Sequence, residues 1–263
     1  MPASDTIVLH DLRTRIARLS RSPDRRRSPV LRFALPALDG QLPEGGLLAG
    51  ALHEIAGAGP ETEHAAAAAL FTAGVLARRR GPVLWALPRD DLFAPALAGV
   101  GLHPDRLILV EAGKQVLSVM EEGLRHRGLA GVVGELEGRL GLTASRRLQL
   151  AAETSGVTAF VLRRARRSDD PALGAPNAAV TRWRIAALPS PPPLPHAPEV
   201  RGVGRAHWRL TLLRCRGSEP ATWIVRACDA TGHLALAAEL PDRSVAPLPV
   251  RSQVRSPPWR AVA

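Results

Sequence analysis

Two patterns of apolar residues take turns along residues 30–188: short continuous runs and longer stretches with helical spacing. Short runs that are apolar throughout predict buried strands at residues 51–56, 82–87, 107–110, 129–133, 158–162 and 180–188. Longer stretches between them predict helices at residues 60–80, 90–100, 114–125 and 145–155. Strands without a polar face that alternate with helices are typical of a parallel sheet covered on both sides. We therefore predict an α/β core with a mostly parallel sheet and helices on both faces.

A short amphipathic segment precedes this core. Leu9, Leu12, Ile16 and Leu19 recur at helical spacing, and residues 20–28 that follow are rich in Arg, Ser and Pro. We predict a helix and a flexible basic linker over residues 1–29. The helix could pack on its own domain or dock on a partner, because both contacts use the same spacing of apolar residues.

The residues after the core predict three further segments. Residues 189–205 are rich in proline, which predicts a stiff extended linker. Residues 206–240 predict a small β unit, with strands at 207–214, 223–228 and 233–238 separated by turns. Residues 241–263 are rich in Pro, Arg and Ser and predict a disordered tail.

The positive charge of the chain leaves several functions open. The 263 residues carry a formal net charge of +11, and Lys114 is the single lysine among 35 basic residues. Arginines clustered on one face would attract nucleic acid, but the same charge serves solubility or an acidic protein partner. Five Trp, four Phe and no Tyr argue against a reader of single strands that works by aromatic stacking.

The sequence predicts no membrane segment and no metal site. The longest apolar stretch, residues 65–76, covers about 12 residues, whereas a membrane helix needs about 20. The first residues lack the features of a signal peptide, so we expect a cytoplasmic protein. Cys215 and Cys228 are too few for a disulfide framework and lack zinc-site spacing, so we expect reduced thiols.

The turn near Gly57 resembles a phosphate-binding loop in outline only. Such a loop has the pattern G-x-x-x-x-G-K-[ST], in which backbone N–H groups hold the phosphates, the lysine neutralises them and the hydroxyl binds magnesium. If Gly57 is the first glycine, Thr62, Glu63 and His64 replace the second glycine, the lysine and the hydroxyl. Carboxylates in the first helical turn interact favourably with the helix dipole. We expect neither nucleotide nor any other cofactor to bind here.

Other catalytic patterns are incomplete. His53-Glu54 begins a metalloprotease motif, but the position four residues after the histidine is Gly57 and not a second histidine. No G-x-S-x-G elbow is present, and neither cysteine has an activating neighbour. We predict no catalytic residue.

Several segments carry a family resemblance. Pro43 to Leu47, His53 to Gly57 and Val100 to Leu109 resemble the opening of a RecA-type core. Leu148 to Arg163, Thr181 to Ala186 and Trp208 to Gly217, which ends in R-C-R-G, resemble the ImuA family. These are RecA-like accessory proteins of the bacterial DNA-damage mutagenesis cassette. The resemblance covers residues 30–240.

The resemblance implies a RecA-like fold and a role in SOS-induced translesion synthesis, beside ImuB and an error-prone DnaE-type polymerase, with RecA as a further candidate partner. The recombinase's catalytic set does not carry over. Glu63 and His64 replace the loop lysine and hydroxyl, Gly134-Glu135 ends a strand where an aspartate would approach magnesium, and Leu162-Arg163 replaces a glutamine that senses the γ-phosphate. We interpret Glu135 as a solvated carboxylate, since magnesium sites usually rely on substrate phosphates.

The same resemblance suggests a DNA contact. RecA-type proteins touch single-stranded DNA through a loop in the region that here carries Arg163, Arg164, Arg166 and Arg167. An exposed basic loop or a protein-docking edge would have the same composition. The leading hypothesis is a non-catalytic scaffold for lesion bypass; the alternatives are an ATPase that remodels DNA filaments, and an inhibitor of cell division or stress responses that acts by binding.

Overall fold

The computed structural model describes residues 29–237 except 166, 168, 169, 195 and 198. Within this part of the chain a two-stranded sheet precedes a nine-stranded one. The strands are β1 (Val30–Leu31), β2 (Leu47–Leu48), β3 (Leu52–Gly57), β4 (Val83–Leu87), β5 (Leu107–Glu111), β6 (Gly131–Glu137), β7 (Thr158–Arg164), β8 (Thr181–Leu188), β9 (His207–Cys215), β10 (Ala221–Arg226) and β11 (Ala235–Leu236).

The described part of the chain has four α-helices. They are α1 (Pro36–Asp39), α2 (Glu61–Ala77), α3 (Val116–Gly123) and α4 (Leu142–Ser155). The helix α2 follows Pro60 and has acidic residues in its first turn, which suits the positive end of the helix dipole. The helix α4 ends at Gly156, whose left-handed backbone (φ 80°) is the conformation that commonly stops a helix.

The large sheet is mostly parallel in its centre. Its order is β11-β10-β9-β8-β3-β7-β6-β4-β5. The six strands from β8 to β5 in this order pair in parallel, while β9, β10 and β11 pair antiparallel. The predicted α/β fold is confirmed.

Helices cover both faces of the central parallel strands. On one face α2 packs against β3 and β8, where Phe71 lies beside Trp183 with ring centroids 6.1 Å apart. Phe33, which lies between β1 and α1, stacks on Phe71 with ring centroids 5.8 Å apart and extends this core. On the other face α3 and α4 bury Met120 and Leu148 against the sheet. The central parallel strands are therefore largely buried on both sides, as their sequence predicted.

One predicted helix is wrong. Residues 90–100 form only a 3-10 segment, Ala94–Val100, and not an α-helix. Pro95 near its start restricts the entering chain, and Gly101 ends the segment in the left-handed conformation (φ 87°). Only five residues lie between these two signals, which leaves little more than one helical turn.

The C-terminal segments differ from their predicted arrangement. The proline-rich residues do not extend away from the core: Leu188 pairs with His207, and the Gly204 N–H donates to the Pro191 carbonyl oxygen over 2.9 Å. The segment is thus the loop of a long hairpin between β8 and β9. The strands predicted as a small β unit are present, but they continue the main sheet.

The last described residues are held closely on α2. A Cβ atom placed on Gly74 would lie 2.5 Å from the Cys228 Sγ atom, and one on Gly232 would lie 2.4 Å from the Gly74 carbonyl oxygen. Only glycine at both positions allows this approach. The chain after β10 is therefore part of the core.

Several predictions lie outside the described residues. These are the N-terminal helix with Leu9, Leu12, Ile16 and Leu19, the tail 241–263, and Arg166 in the basic loop.

Candidate functional site

The turn between β3 and α2 is short, and its backbone is hydrogen-bonded to neighbouring segments of the sheet. It consists of Ala58, Gly59 and Pro60. The Ala58 N–H donates to the Ile185 carbonyl oxygen over 2.9 Å, and the Glu61 N–H donates to the Ala165 carbonyl oxygen over 2.8 Å. These N–H groups would be needed to hold a phosphate, and the fold already uses them.

Four residues, Gly57, Thr62, Glu63 and His64, stand at the motif positions of a phosphate-binding loop, and two of them make contacts within the fold. Gly57 ends β3, where a Cβ atom would lie 2.9 Å from the Cβ atom of His64. The His64 Nδ1 atom accepts a hydrogen bond from the Ala187 N–H over 3.2 Å. Thr62 is exposed and Glu63 is 67% exposed, its carboxylate 3.5 Å from His64 Nε2. Glu63 therefore lies at the surface beside His64 and not inside the turn.

Glu61, in the first turn of α2, instead pairs with Arg164 at the end of β7. The Arg164 guanidinium lies 3.1 Å from Glu61, 2.7 Å from Asp91 and 3.3 Å from Glu135, and its side chain is 13% exposed. The two terminal nitrogens each donate to one Asp91 oxygen, a bidentate geometry that is among the stronger ion pairs. Arg164 thus joins α2, β6 and the loop after β4.

Arg89 extends this group on the solvent side. It lies 2.6 Å from Asp91, 2.9 Å from Glu137 and 3.5 Å from Glu61, and it is 48% exposed. We call the six residues the ion-pair cluster: Glu61, Arg89, Asp91, Glu135, Glu137 and Arg164. Four carboxylates face two guanidiniums at the carboxyl ends of the parallel strands, where ligands of such sheets bind.

The electrostatics of the cluster are strongly coupled. Hydrogen bonds from Arg164, and then Arg89, hold the pKa of Asp91 at about 2, although its burial opposes this. The bond to Asp91 is likewise the main reason that the pKa of Arg164 lies above its usual range. Burial raises the pKa of Glu135, while the Trp85 Nε1–H, which donates to Glu135 over 3.0 Å, and Arg164 act in the opposite direction. Glu135 is therefore a buried, bonded carboxylate, and its interpretation as a solvated one is wrong.

Beside the cluster lies a cleft of about 290 Å³. Its walls mix both signs of charge: Glu61, Glu137, Gly138, Arg164, Arg167, Asp170 and Pro171. Three carboxylates and two arginines line it, and Arg164 is already paired, so the walls carry no excess of positive charge for an incoming anion.

A second, buried network lies on the α4 side of the sheet around Glu54. Its carboxylate accepts from Arg163 over 2.8 Å, from Arg182 over 2.6 Å and from Asn177 over 2.7 Å. The side chains of Glu54 and Arg163 are both 1% exposed. Arg163 also donates to the carbonyl oxygens of Gly138 and Ala172.

These positions change the predicted DNA contact. Arg163 is too buried to reach a phosphate, and Arg164 is held by carboxylates, so neither fits that prediction. Arg167 is exposed on the wall of the cleft. The grouping of Glu61, Arg89, Asp91 and Glu137 was not predicted from the sequence. Their common signal is that each follows a predicted strand, at the carboxyl end of the parallel sheet.

The other candidate chemistry has no support in the geometry. In the described part of the chain, no group of three His, Cys, Asp or Glu side chains could hold a metal ion. Burial raises the pKa of Cys215 to about 11 and that of Cys228 to about 12, which keeps both thiols protonated. None of the helices between residues 29 and 237 is long and apolar enough to cross a membrane.

The sheet order, the helices on both faces and the position of the β3–α2 turn define an α/β protein with the RecA-like fold. A solved structure, the RadB recombinase, superimposes with a TM-score of 0.54 at 19% identity, covering 79% of this chain and 100% of that one. No protein-family model matches the chain. Protein ImuA from two strains of Caulobacter vibrioides, NA1000 / CB15N and ATCC 19089 / CIP 103742 / CB 15, is 43% identical over 233 residues, 83% of this chain and 93% of the relative. The chain belongs to the ImuA family.

Proposed function

We propose that this protein is a non-catalytic, RecA-like accessory protein of SOS-induced, error-prone translesion synthesis. It acts in the cytoplasm with ImuB and a DnaE-type polymerase, and RecA is a further candidate partner. Membership of the ImuA family supports the pathway. The observation that carries the non-catalytic role is that the N–H donors of Ala58 and Glu61 are bonded to backbone carbonyl oxygens.

Charge at the turn supports the same role. Two unit charges 4 Å apart at an effective dielectric constant of 20 interact by about 4 kcal/mol. A triphosphate beside Glu61 and Asp91 would meet repulsion of this order from each carboxylate that stays ionised. It would also have to separate Arg164 from its partners, leaving partly buried carboxylates without a cation. Nucleotide binding is therefore disfavoured before any loop rearrangement.

The first experiment measures nucleotide binding and turnover. The full chain is titrated with Mg-ATP in a calorimeter, and phosphate release is followed with and without single-stranded DNA. We expect no binding heat and no release above background. Tight binding, or release that disappears in Glu135→Gln but persists in the exposed control Glu122→Gln, would make the non-catalytic proposal wrong.

The second experiment tests the partners. The full chain is co-expressed with its ImuB counterpart and the DnaE-type polymerase, and the complex is isolated through a tag on either partner. We expect co-purification. We also expect Leu12→Glu with Ile16→Glu to weaken it if the predicted N-terminal helix docks on a partner, whereas Arg13→Gln serves as the control. Absence of both proteins from the isolated material would contradict the accessory role.

A further inference from the structure

The antiparallel end of the large sheet has one face that no described helix covers. Along β8, β9 and β10 the residues Trp183, Trp208, Leu210, Trp223 and Val225 point to the α2 side, where they join the core. The alternate residues point the other way, because successive side chains of a strand face opposite sides. The helices α3 and α4 pack on β3, β4, β6 and β7, so they leave this second face open.

Arginine dominates the open face. Paired positions place Arg182 opposite Arg214, Arg184 opposite Thr211, and Arg209 opposite Ile224, while Arg226 pairs with His207. Because paired residues of antiparallel strands share a face, these side chains lie together. We call five of them the arginine face: Arg182, Arg184, Arg209, Arg214 and Arg226. It spans three strands, about 10 Å across at the usual strand spacing.

The positive charge of this face is poorly compensated. Among the described residues, Arg182 is the one member of the face that pairs with a carboxylate, the buried Glu54. In the described residues no carboxylate lies within ion-pair distance of the other four, and Arg184 and Arg214 instead donate to backbone carbonyl oxygens. Arg209 and Arg226 are exposed. Burial is the main reason that the pKa values of Arg184 and Arg214 are lowered, and the like charge of Arg182 adds to it in both.

The chemistry of the face selects its ligand. Arginine presents a planar fork of donors that matches phosphate oxygens. The tryptophans of these strands point to the core, so the face has no platform on which to stack bases and no aromatic anchor of the kind that protein interfaces favour. Recognition would rest on charge alone, and a duplex carries twice the linear charge density of one strand.

We propose that the arginine face binds the phosphate backbone of double-stranded DNA without reading its sequence. Arg209 and Arg226 make the outer contacts, and Arg184 and Arg214 lie between them and the buried Glu54 network. The surface is separate from the basic loop at residues 163–167 and from the ion-pair cluster. It does not depend on the proposed partners or on the absence of nucleotide binding.

The test compares two doubly substituted chains of equal charge. Arg209→Gln with Arg226→Gln removes the outer contacts; Arg80→Gln with Arg127→Gln removes two exposed arginines beside β4 and β6, several strands away. Binding of a labelled 30-base-pair duplex, and of one of its strands, is measured by fluorescence anisotropy at several salt concentrations. Thermal unfolding checks that each variant is folded.

For the unsubstituted chain we expect tighter binding to the duplex than to the single strand. The first variant should bind about tenfold more weakly, and the slope of log K against log salt should fall by about 1.8, since each lost phosphate contact contributes about 0.9. The control variant should stay within about twofold of the unsubstituted chain. Equal losses in both variants, an unchanged slope in the first, or a preference for the single strand would each overturn the proposal.

Discussion

The Arg163 guanidinium lies 2.8 Å from the Glu54 carboxylate, and both side chains are 1% exposed. This ion pair joins two neighbouring parallel strands, β7 and β3, in the interior of the sheet. Glu54 also accepts hydrogen bonds from Arg182 and Asn177, so one carboxylate binds donors from β7, β8 and the loop before β8. An isolated charge at this depth would be very costly, so the partners depend on one another.

Glu54→Gln should therefore destabilise the protein severely. The substitution leaves Arg163 buried without an anion, and removal of one partner of a buried pair costs about 3–5 kcal/mol. We expect the urea midpoint to fall accordingly. Glu122→Gln, which breaks a pair with the exposed Arg125, is the matched control and should change the free energy of unfolding by less than about 0.5 kcal/mol. A loss below about 1 kcal/mol in the Glu54 variant would show that the pair is not important for stability.

His53 should make stability depend on pH. It is fully buried, and its ring accepts from the Thr181 hydroxyl and donates to the Leu48 carbonyl oxygen, which fixes the neutral form. Burial lowers its pKa from 6.5 to about 4. Between pH 6.5 and pH 4, the unfolded chain therefore binds a proton at His53 that the folded chain does not bind. The contribution of His53 to stability is fully present above pH 6.5 and is lost as the pH falls towards 4, by about 3 kcal/mol in total.

The check on His53 is a series of urea unfolding curves between pH 4 and 7. His53→Asn should be less stable at pH 7 but show a flatter dependence on pH. The raised pKa of Glu135 acts in the opposite direction, since stability from a carboxyl with a raised pKa is lost as the pH rises. Both chains retain Glu135, so the difference between them isolates the histidine. Parallel curves for the two chains would contradict the assignment.

Arg164→Gln should loosen the ion-pair cluster. Three carboxylates lose a cation that is 13% exposed, so we expect a loss of about 2–3 kcal/mol, less than for a fully buried pair. The pKa of Asp91 should rise from about 2 towards its usual value, which carboxyl chemical shifts can follow. Arg89→Gln is the comparison: its side chain is 48% exposed, and its loss should cost less than about 1 kcal/mol. An equal effect of the two substitutions would argue against the central position of Arg164.

Gly57→Ala should be destabilising for a packing reason. The new methyl group would lie 2.9 Å from the Cβ atom of His64, which is fixed to the α2 backbone and cannot move aside. Overpacking of this kind costs about 1–3 kcal/mol. Gly128→Ala, where the added atom meets nothing within 4 Å, is the control and should be close to neutral. Thermal unfolding of both variants measures the difference, and equal midpoints would show that the β3–α2 contact tolerates the methyl group.

The sequence was informative where local signals agree. The β4 strand was predicted within one residue because its apolar run is bounded by Gly81 and Pro88. The contacts of Glu54 and Arg164 could not be predicted in the same way. They depend on which strands are neighbours, and the order β8-β3-β7-β6 follows from long-range packing rather than from any local pattern. Arg163 and Arg164 are adjacent in sequence, yet they point to opposite faces of the sheet and join different networks.

The close fit of Gly74 and Gly232 around Cys228 has a practical consequence for mapping the assembly. Cutting the chain before β9 would strip the cover from Trp183 and from one side of α2, so a truncated protein would report misfolding instead of a lost binding surface. The C-terminal strands have to be probed by substitutions at outward positions such as Ile224, with the polypeptide otherwise whole.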